Sequence, residues 1–147
     1  MTPIVLDTSV IFKWSRQTDE EPFVPQALHL LDQHLRREAQ IHVPSLMFYE
    51  LGNTIKQKRR LLPEDGENIL LNIFTFGLAV YDIDPISAVQ TYKMAAAYDL
   101  TFYDAAFVTL ADEKNCPLIT ADQKLCKKLR SLRFVRFLGE FDIPTRS

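Results

Sequence analysis

The sequence predicts an α/β protein whose parallel β-sheet is covered by helices on both faces. Short apolar runs alternate with amphipathic helical segments almost throughout the chain, which is the order that parallel sheets require. The 147 residues suit one domain over 1–147, and 47% hydrophobic and 24% charged residues are ordinary for a globular protein. No repeat, linker or low-complexity segment interrupts the pattern.

Charge and cysteine content exclude several classes of protein. The formal net charge of −2 gives no global field that attracts nucleic acid, so RNA contact requires a local basic patch or a bound cation. Two cysteines (Cys116 and Cys126) and three histidines are too few for a disulfide framework or a structural zinc site. With neither a leader-like start nor an apolar run of about 18 residues, we expect a cytoplasmic protein with no membrane partner.

The first half of the chain predicts two strands and three helices. Residues 3–6 are apolar and partly β-branched, and their run stops at Asp7, so they predict a buried strand. The pattern then turns helical over 8–14, with Ser9 as a candidate cap. Leucine spacing and proline positions next predict a helix over 25–37, a strand over 41–43 and a helix over about 46–60.

The second half continues the alternation. Pro63, followed by two acids, predicts a helix as far as about residue 76, because prolines and acids favour the first helical turn. In the same way, Asp84 and Pro85 predict a helix as far as Tyr98. The remaining predicted elements are strands over 78–83, 117–120 and 134–138, and helices over 103–114 and from Asp122 onward.

Two aspartates stand where predicted strands end. Asp7 follows the first strand directly, and Asp122 lies two residues beyond the fourth. Ligands of open α/β sheets bind outside the carboxyl ends of the strands, so both acids occupy positions typical of a functional site. Taken singly, Asp7 is equally well explained as a turn residue and Asp122 as a helix N-cap.

Glu50 is a carboxylate inside an apolar helical stripe. It shares an arc of about 140° with Leu46, Met47, Leu51 and Thr54. A buried charge needs a partner or a metal ion. One turn further on stands the neutral Thr54, so an ordinary ion pair for Glu50 requires a cation from elsewhere in the fold.

Asp104 begins a predicted helix in the small, apolar segment 103–107, where it also has a plain explanation as an N-cap.

Four carboxylates at one end of a sheet repel one another, and without a counter-charge some stay protonated at neutral pH. Mg²⁺ or Mn²⁺ resolves this conflict, because both prefer oxygen ligands and leave room for water and phosphate. Asp7, Glu50, Asp104 and Asp122 therefore predict a metal centre suited to phosphodiester hydrolysis by a metal-activated water.

Four segments, by their order and separations, carry a resemblance to a known family. They are Val-Leu-Asp-Thr-Ser at 5–9, Pro-Ser-Leu-Met-Phe-Tyr-Glu-Leu-Gly-Asn at 44–53, Leu-Thr-Phe-Tyr-Asp-Ala-Ala at 100–106, and Leu-Ile-Thr-Ala-Asp-Gln-Lys-Leu at 118–125. Through them, residues 3 to about 138 resemble the PIN domain, and within that family the VapC-like toxins of type II toxin–antitoxin pairs.

The resemblance implies a three-layer α/β/α sandwich with a parallel sheet of about five strands, and an endoribonuclease that depends on Mg²⁺ or Mn²⁺. It also implies an RNA substrate, a homodimer and a cognate antitoxin protein as partners. The positions that match the family's site are the catalytic and metal-binding acids Asp7, Glu50, Asp104 and Asp122, and beside them Thr8, Asn53 and Thr120.

Two basic stretches are candidates for contact with RNA phosphates. They are Lys56, Lys58, Arg59 and Arg60 at one helix end, and Lys124, Lys127, Lys128, Arg130, Arg133 and Arg136 further on. Solvated helix faces that complement the helix dipole explain them equally well. The aromatic residues Phe12, Trp14, Phe48 and Tyr49 are likewise either partner contacts or core residues.

Two other functions compete with the ribonuclease. One is a non-catalytic PIN-like module that binds RNA or protein, which the intact acids disfavour. The other is a phosphotransfer protein, either a haloacid-dehalogenase-like phosphatase or a receiver domain. The phosphatase requires a second aspartate where Ser9 stands, and a receiver requires its acceptor aspartate after the third strand.

Overall fold

The computed structural model describes residues 1–16, 18–58 and 61–143, and its strands form one parallel sheet. The strands are β1 (Thr2–Leu6), β2 (Ala39–Pro44), β3 (Ala79–Tyr81), β4 (Leu118–Thr120) and β5 (Val135–Phe137). They pair in the order β3-β2-β1-β4-β5, with every pair parallel. The predicted parallel sheet of about five strands is confirmed.

Helices connect and cover these strands. They are α1 (Thr8–Ile11), α2 (Val24–Leu35), α3 (Leu46–Gln57), α4 (Pro63–Thr75), α5 (Pro85–Tyr98), α6 (Phe102–Lys114) and α7 (Gln123–Lys128). Helix α2 packs against β2, and α6 packs against both β1 and β2. The predicted three-layer α/β/α sandwich is confirmed. None of the described helices is long and apolar enough to cross a membrane.

Four predicted details at helices and strands are wrong. The helix expected over 8–14 is α-helical only to Ile11 and continues as a 3-10 helix over Phe12–Ser15. Ser9 does not cap it, because the Ser9 hydroxyl donates to the Asp7 carboxylate instead. The helix expected to reach about 60 ends at Gln57, with 59–60 outside the described residues, and the third strand is shorter than 78–83.

The central strand β1 sets the position of the candidate site. Val5 and Leu6 are completely buried, and β1 pairs with β2 on one side and β4 on the other. The chain builds β2 and β3 on one side of β1 and β4 and β5 on the other, so the boundary between β1 and β4 is a topological switch point, where α/β sheets bind ligands. The Asp7 N–H donates to the Ile119 carbonyl over 3.0 Å across this boundary.

Candidate functional site

A cleft of about 400 Å³ brings three of the four predicted acids together. Asp7 follows the end of β1, Glu50 lies in the middle of α3, and Asp104 lies in the first turn of α6, and all three line the cleft. Serine and threonine hydroxyls and two lysines complete much of its wall. The fold therefore concentrates carboxylates from distant parts of the chain on one solvent-accessible space.

Asp7 is the most buried acid of the cleft. Only 8% of the residue is exposed, and its Oδ2 accepts hydrogen bonds from Ser9 Oγ at 2.6 Å and Thr120 Oγ1 at 2.9 Å. Burial raises the pKa of Asp7, and the negative charge of Asp122 raises it further, whereas the Ser9 and Thr120 hydroxyls and the Thr8 backbone work in the opposite direction. The hydroxyls partly replace the water that the carboxylate has lost.

Glu50 is half-buried, directly beside completely buried Met47 and Leu51. The Thr8 hydroxyl donates to Glu50 Oε1 over 2.8 Å. Burial raises the pKa of Glu50, the Thr8 hydrogen bond opposes this, and the charges of Asp7 and Asp104 add to the increase. Glu50 forms no ion pair with any described residue, so the carboxylate in the apolar stripe faces other acids instead.

Asp104 is not the N-cap of α6. That position belongs to Thr101, whose side chain accepts a hydrogen bond from the Asp104 N–H at 3.0 Å. Burial raises the pKa of Asp104, as do the charges of Asp7 and Asp122, while Thr101 and Lys128 lower it. The carboxylate is therefore free to line the cleft, and the plain explanation as a cap is wrong.

Asp122 does serve as an N-cap. Its Oδ1 accepts from the N–H groups of Lys124 at 3.0 Å and Leu125 at 3.1 Å, at the start of α7. The residue is exposed and does not line the cleft, although its neighbour Ala121 does. Its charge nevertheless raises the pKa of both Asp7 and Asp104, which places Asp122 within electrostatic reach of the cleft.

Two of the three predicted supporting residues contact the acids, and one does not. Thr8 donates to Glu50, and completely buried Thr120 donates to Asp7 and accepts from the Asp122 N–H at 3.1 Å. Asn53 is exposed and lies outside the cleft lining, where Thr54 stands instead. Along helix α3, Thr54, four positions after Glu50, therefore faces the same cleft as Glu50, whereas Asn53, three positions after it, does not.

The sequence patterns did not predict two charged residues of the cleft, Lys13 and Glu21, whereas Lys58 was already a candidate for contact with RNA phosphates. All three residues line the cleft. A signal was present for Lys13, because it is a charged residue within the apolar run 10–14, much as Glu50 is within its stripe. Of the aromatic candidates, Phe12 is buried and Phe48 stacks on Phe74, whereas Tyr49 is 80% exposed.

The donors of the cleft suit a hard divalent cation. They are carboxylate and hydroxyl oxygens, and the acids raise one another's pKa, a conflict that a cation removes. Within 1–16, 18–58 and 61–143, no three His, Cys, Asp or Glu side chains are arranged closely enough to enclose a metal ion by themselves. Mg²⁺ is commonly held through one or two carboxylates and several waters, so these residues fit such an ion.

Fold and cleft together define a small α/β protein with a carboxylate centre at the carboxyl edge of its sheet. The model of the PIN domain matches residues 4–129. The ribonuclease VapC3 of Pyrobaculum aerophilum is 33% identical over 98 residues, which are 63% of this chain and 74% of that protein. The chain belongs to the PIN domain family, and the prediction of a VapC-like member is confirmed.

Solved structures agree on the fold. PAE2754 from Pyrobaculum aerophilum superposes with a TM-score of 0.70 at 19% identity, covering 94% of this chain and 85% of that one. A toxin–antitoxin complex from Klebsiella pneumoniae contains a chain that superposes with a TM-score of 0.67 at 16% identity, covering 95% of this chain and 99% of that one.

Proposed function

We propose that this PIN-domain protein is a metal-dependent endoribonuclease, the toxin of a type II toxin–antitoxin pair. Its proposed catalytic and metal-binding acids are Asp7, Glu50, Asp104 and Asp122. One observation carries the proposal: Asp7, Glu50 and Asp104 line a single cleft, and the charge of Asp7 raises the pKa of both of the others. Such a centre is unfavourable alone and becomes favourable when it binds a cation.

The surrounding residues hold the acids for this task. Both hydroxyl bonds to Asp7 reach Oδ2, and the Thr8 hydroxyl bonds to Oε1 of Glu50, so these side-chain bonds use only one oxygen of each carboxylate. When bound, Mg²⁺ or Mn²⁺ would orient the substrate phosphate and make a water more acidic. Thr8 and Thr120 act through the acids, which they orient and keep in the ionised form.

The proposal includes RNA as the substrate, a cognate antitoxin as the inhibitor, a homodimer as the assembly and the cytoplasm as the location. The VapC ribonuclease relative supports the substrate class, and the toxin–antitoxin complex of the same fold supports the antitoxin. Two free thiols, Cys116 and Cys126, suit a reducing compartment. Membership of the PIN family sets the phosphotransfer alternative aside.

RNA cleavage by the purified chain tests the proposal. Wild type should cut RNA with Mg²⁺ or Mn²⁺ and stop when EDTA is added, while Asp7→Asn and Asp104→Asn should be inactive. Asp112→Asn, an exposed acid on the same helix as Asp104, is the matched control and should cut normally. Full cleavage by Asp7→Asn contradicts the site. Absence of cleavage by wild type, without any thermal stabilisation by Mn²⁺, favours the non-catalytic module.

A further inference from the structure

Lys13 is a buried cation in the carboxylate cleft, and the chemistry proposed for the acids does not use it. Its side chain is 6% exposed, yet the residue lines the cleft together with Asp7, Glu50 and Asp104. A buried ammonium group is costly unless it is paired and hydrogen-bonded. The position of Lys13 therefore requires an explanation.

The Glu21 carboxylate balances the charge of the Lys13 ammonium but does not accept a hydrogen bond from it. Lys13 Nζ lies 3.9 Å from Glu21 Oε1, a distance that allows charge attraction but is too long for a hydrogen bond. The other oxygen, Glu21 Oε2, is buried without a hydrogen-bond partner among the described residues. The pair thus neutralises charge while leaving the ammonium able to donate to a further anion.

Among the described residues, Lys13 pairs with Glu21 and forms no ion pair with Asp7, Glu50 or Asp104. Burial raises the pKa of Asp7 and of Glu50, and this rise is opposed by hydroxyl hydrogen bonds and, at Asp7, by a backbone hydrogen bond. The cation that lowers the pKa of Asp104 is Lys128, on α7. The acids and Lys13 are separate parts of the same cleft wall.

A second lysine extends the cationic part of the wall. Lys58 also lines the cleft, and its Nζ lies 5.1 Å from the centre of the Phe12 ring, within cation–π range. Phe12 is buried and directly precedes Lys13 in the sequence, so its ring brings the exposed Lys58 to the segment that carries Lys13. Acids beside cations suit a phosphodiester, because a metal ion held by the acids and the lysine N–H groups can both bind its oxygens.

We propose that Lys13 binds a phosphate oxygen of the RNA substrate beside the carboxylates, with Glu21 keeping its ammonium in place. This inference rests on the proposed ribonuclease function, because it assigns the cation to the same substrate. It makes Lys13 a substrate-binding residue of the cleft, and Lys58 an auxiliary donor at its side.

RNA binding without metal tests this role separately from cleavage. The probe is a short fluorescein-labelled single-stranded oligoribonucleotide, titrated in EDTA over a series of KCl concentrations and followed by anisotropy. Lys13→Met should bind about 10-fold or more weakly, as expected for loss of a charge-assisted hydrogen bond. For Lys13→Met, the plot of log affinity against log salt concentration should be shallower than for wild type by about 0.7, which is the contribution of one phosphate contact to a single strand.

Matched variants separate this role from loss of folding. Lys93→Met removes an exposed lysine of α5 outside the cleft and should retain the wild-type slope. Because removing one partner of a buried pair destabilises a protein, Glu21→Gln is compared with the double variant Lys13→Met/Glu21→Gln. Glu21→Gln keeps the Lys13 charge and should retain a larger slope than the double variant, and Lys13→Arg should restore most of the binding lost in Lys13→Met.

The outcomes distinguish the two proposals. If wild type cleaves RNA while Lys13→Met and the double variant keep the wild-type slope and affinity, the role of Lys13 is overturned and the ribonuclease stands. If wild type binds RNA with the expected Lys13 dependence but never cleaves it, the ribonuclease fails and phosphate binding stands. Wild type that shows no salt-dependent binding of this probe overturns the role of Lys13 as well.

Discussion

The Thr120 hydroxyl donates to Asp7 Oδ2 over 2.9 Å, linking two side chains that are 113 positions apart in the sequence. The bond joins the end of β4 to the residue that follows β1, and Thr120 is completely buried. A hydroxyl that donates to a carboxylate favours its ionised form. Thr120 therefore counteracts the burial that raises the pKa of Asp7.

Replacing Thr120 by valine should move the acid limb of the pH–activity profile upward. Without the hydroxyl the pKa of Asp7 rises further, so ionised Asp7 is reached only at higher pH. Loss of a buried donor should also cost about 1–3 kcal/mol of stability. The measurement is kcat/KM for RNA cleavage against pH, and Thr120→Ser should keep the wild-type profile. An unshifted acid limb in the valine variant would contradict the role of the hydroxyl.

Replacing Asp7 by asparagine should stabilise the metal-free protein at neutral pH. Burial raises the pKa of Asp7 above its ordinary value of 3.8, so the folded state binds the proton more tightly than the unfolded state does. The free energy of unfolding therefore falls as pH rises from 3.8 through the raised pKa. Asparagine removes this loss, and Tm at neutral pH should rise, by about 3 °C for each kcal/mol.

Thermal melts in EDTA at several pH values measure this effect. The advantage of Asp7→Asn over wild type should shrink as the pH falls below the raised pKa, because both side chains are then neutral. Asp112→Asn, at an exposed position, should show no such pH-dependent gain. A less stable Asp7→Asn protein at neutral pH would mean that the Ser9 and Thr120 bonds outweigh burial.

Binding of Mn²⁺ should raise the Tm of wild type and not that of the acidic variants. An ion that binds only the folded state adds about 2.7 kcal/mol at one hundred times its Kd. Asp7→Asn and Asp104→Asn should lose most of this gain, since each removes a charge from the cleft. A titration followed by differential scanning fluorimetry suffices, and an equal rise in wild type and both variants would place the ion elsewhere.

His34 should be essential for joining α2 to the sheet. Its Nδ1 accepts from the Ile41 N–H at 3.1 Å, which leaves Nε2 to donate to the Phe76 carbonyl at 2.7 Å. His34→Phe leaves two backbone groups without partners and should lower stability by about 1–3 kcal/mol for each buried group. His29→Phe on the same helix is the control, and urea denaturation gives both values. Equal stabilities would show that water replaces the ring.

Much of the fold could be predicted because its signals are local. Asp84 and Ser87 form a capping box, so the start of α5 at Pro85 is encoded by neighbouring residues. The short strands β3 and β5 were harder to delimit, because pairing with a neighbouring strand decides where they end. The 3-10 turn after α1 also depends on tertiary contacts, with Trp14 Nε1 donating to the Ala27 carbonyl of α2.

The site could be predicted in part for the same reason. Periodicity identified Glu50, and strand ends identified Asp7, since both are local signals. The contribution of Thr101, which leaves Asp104 free, and the pairing of Lys13 with Glu21 depend on geometry that the sequence pattern does not express. The catalytic roles of the acids stay predictions, as does the extent of the domain over 1–147.

The central position of β1 has a consequence for synthesis. The ribosome synthesises Asp7, Glu50 and Asp104 in that order, before it reaches strand β4, which lies next to β1 in the sheet. Only after residue 120 has been added can β4 close against β1 and Thr120 reach Asp7. A nascent chain that ends before residue 120 therefore lacks β4 and the Thr120 hydrogen bond to Asp7, and its carboxylate centre is incomplete.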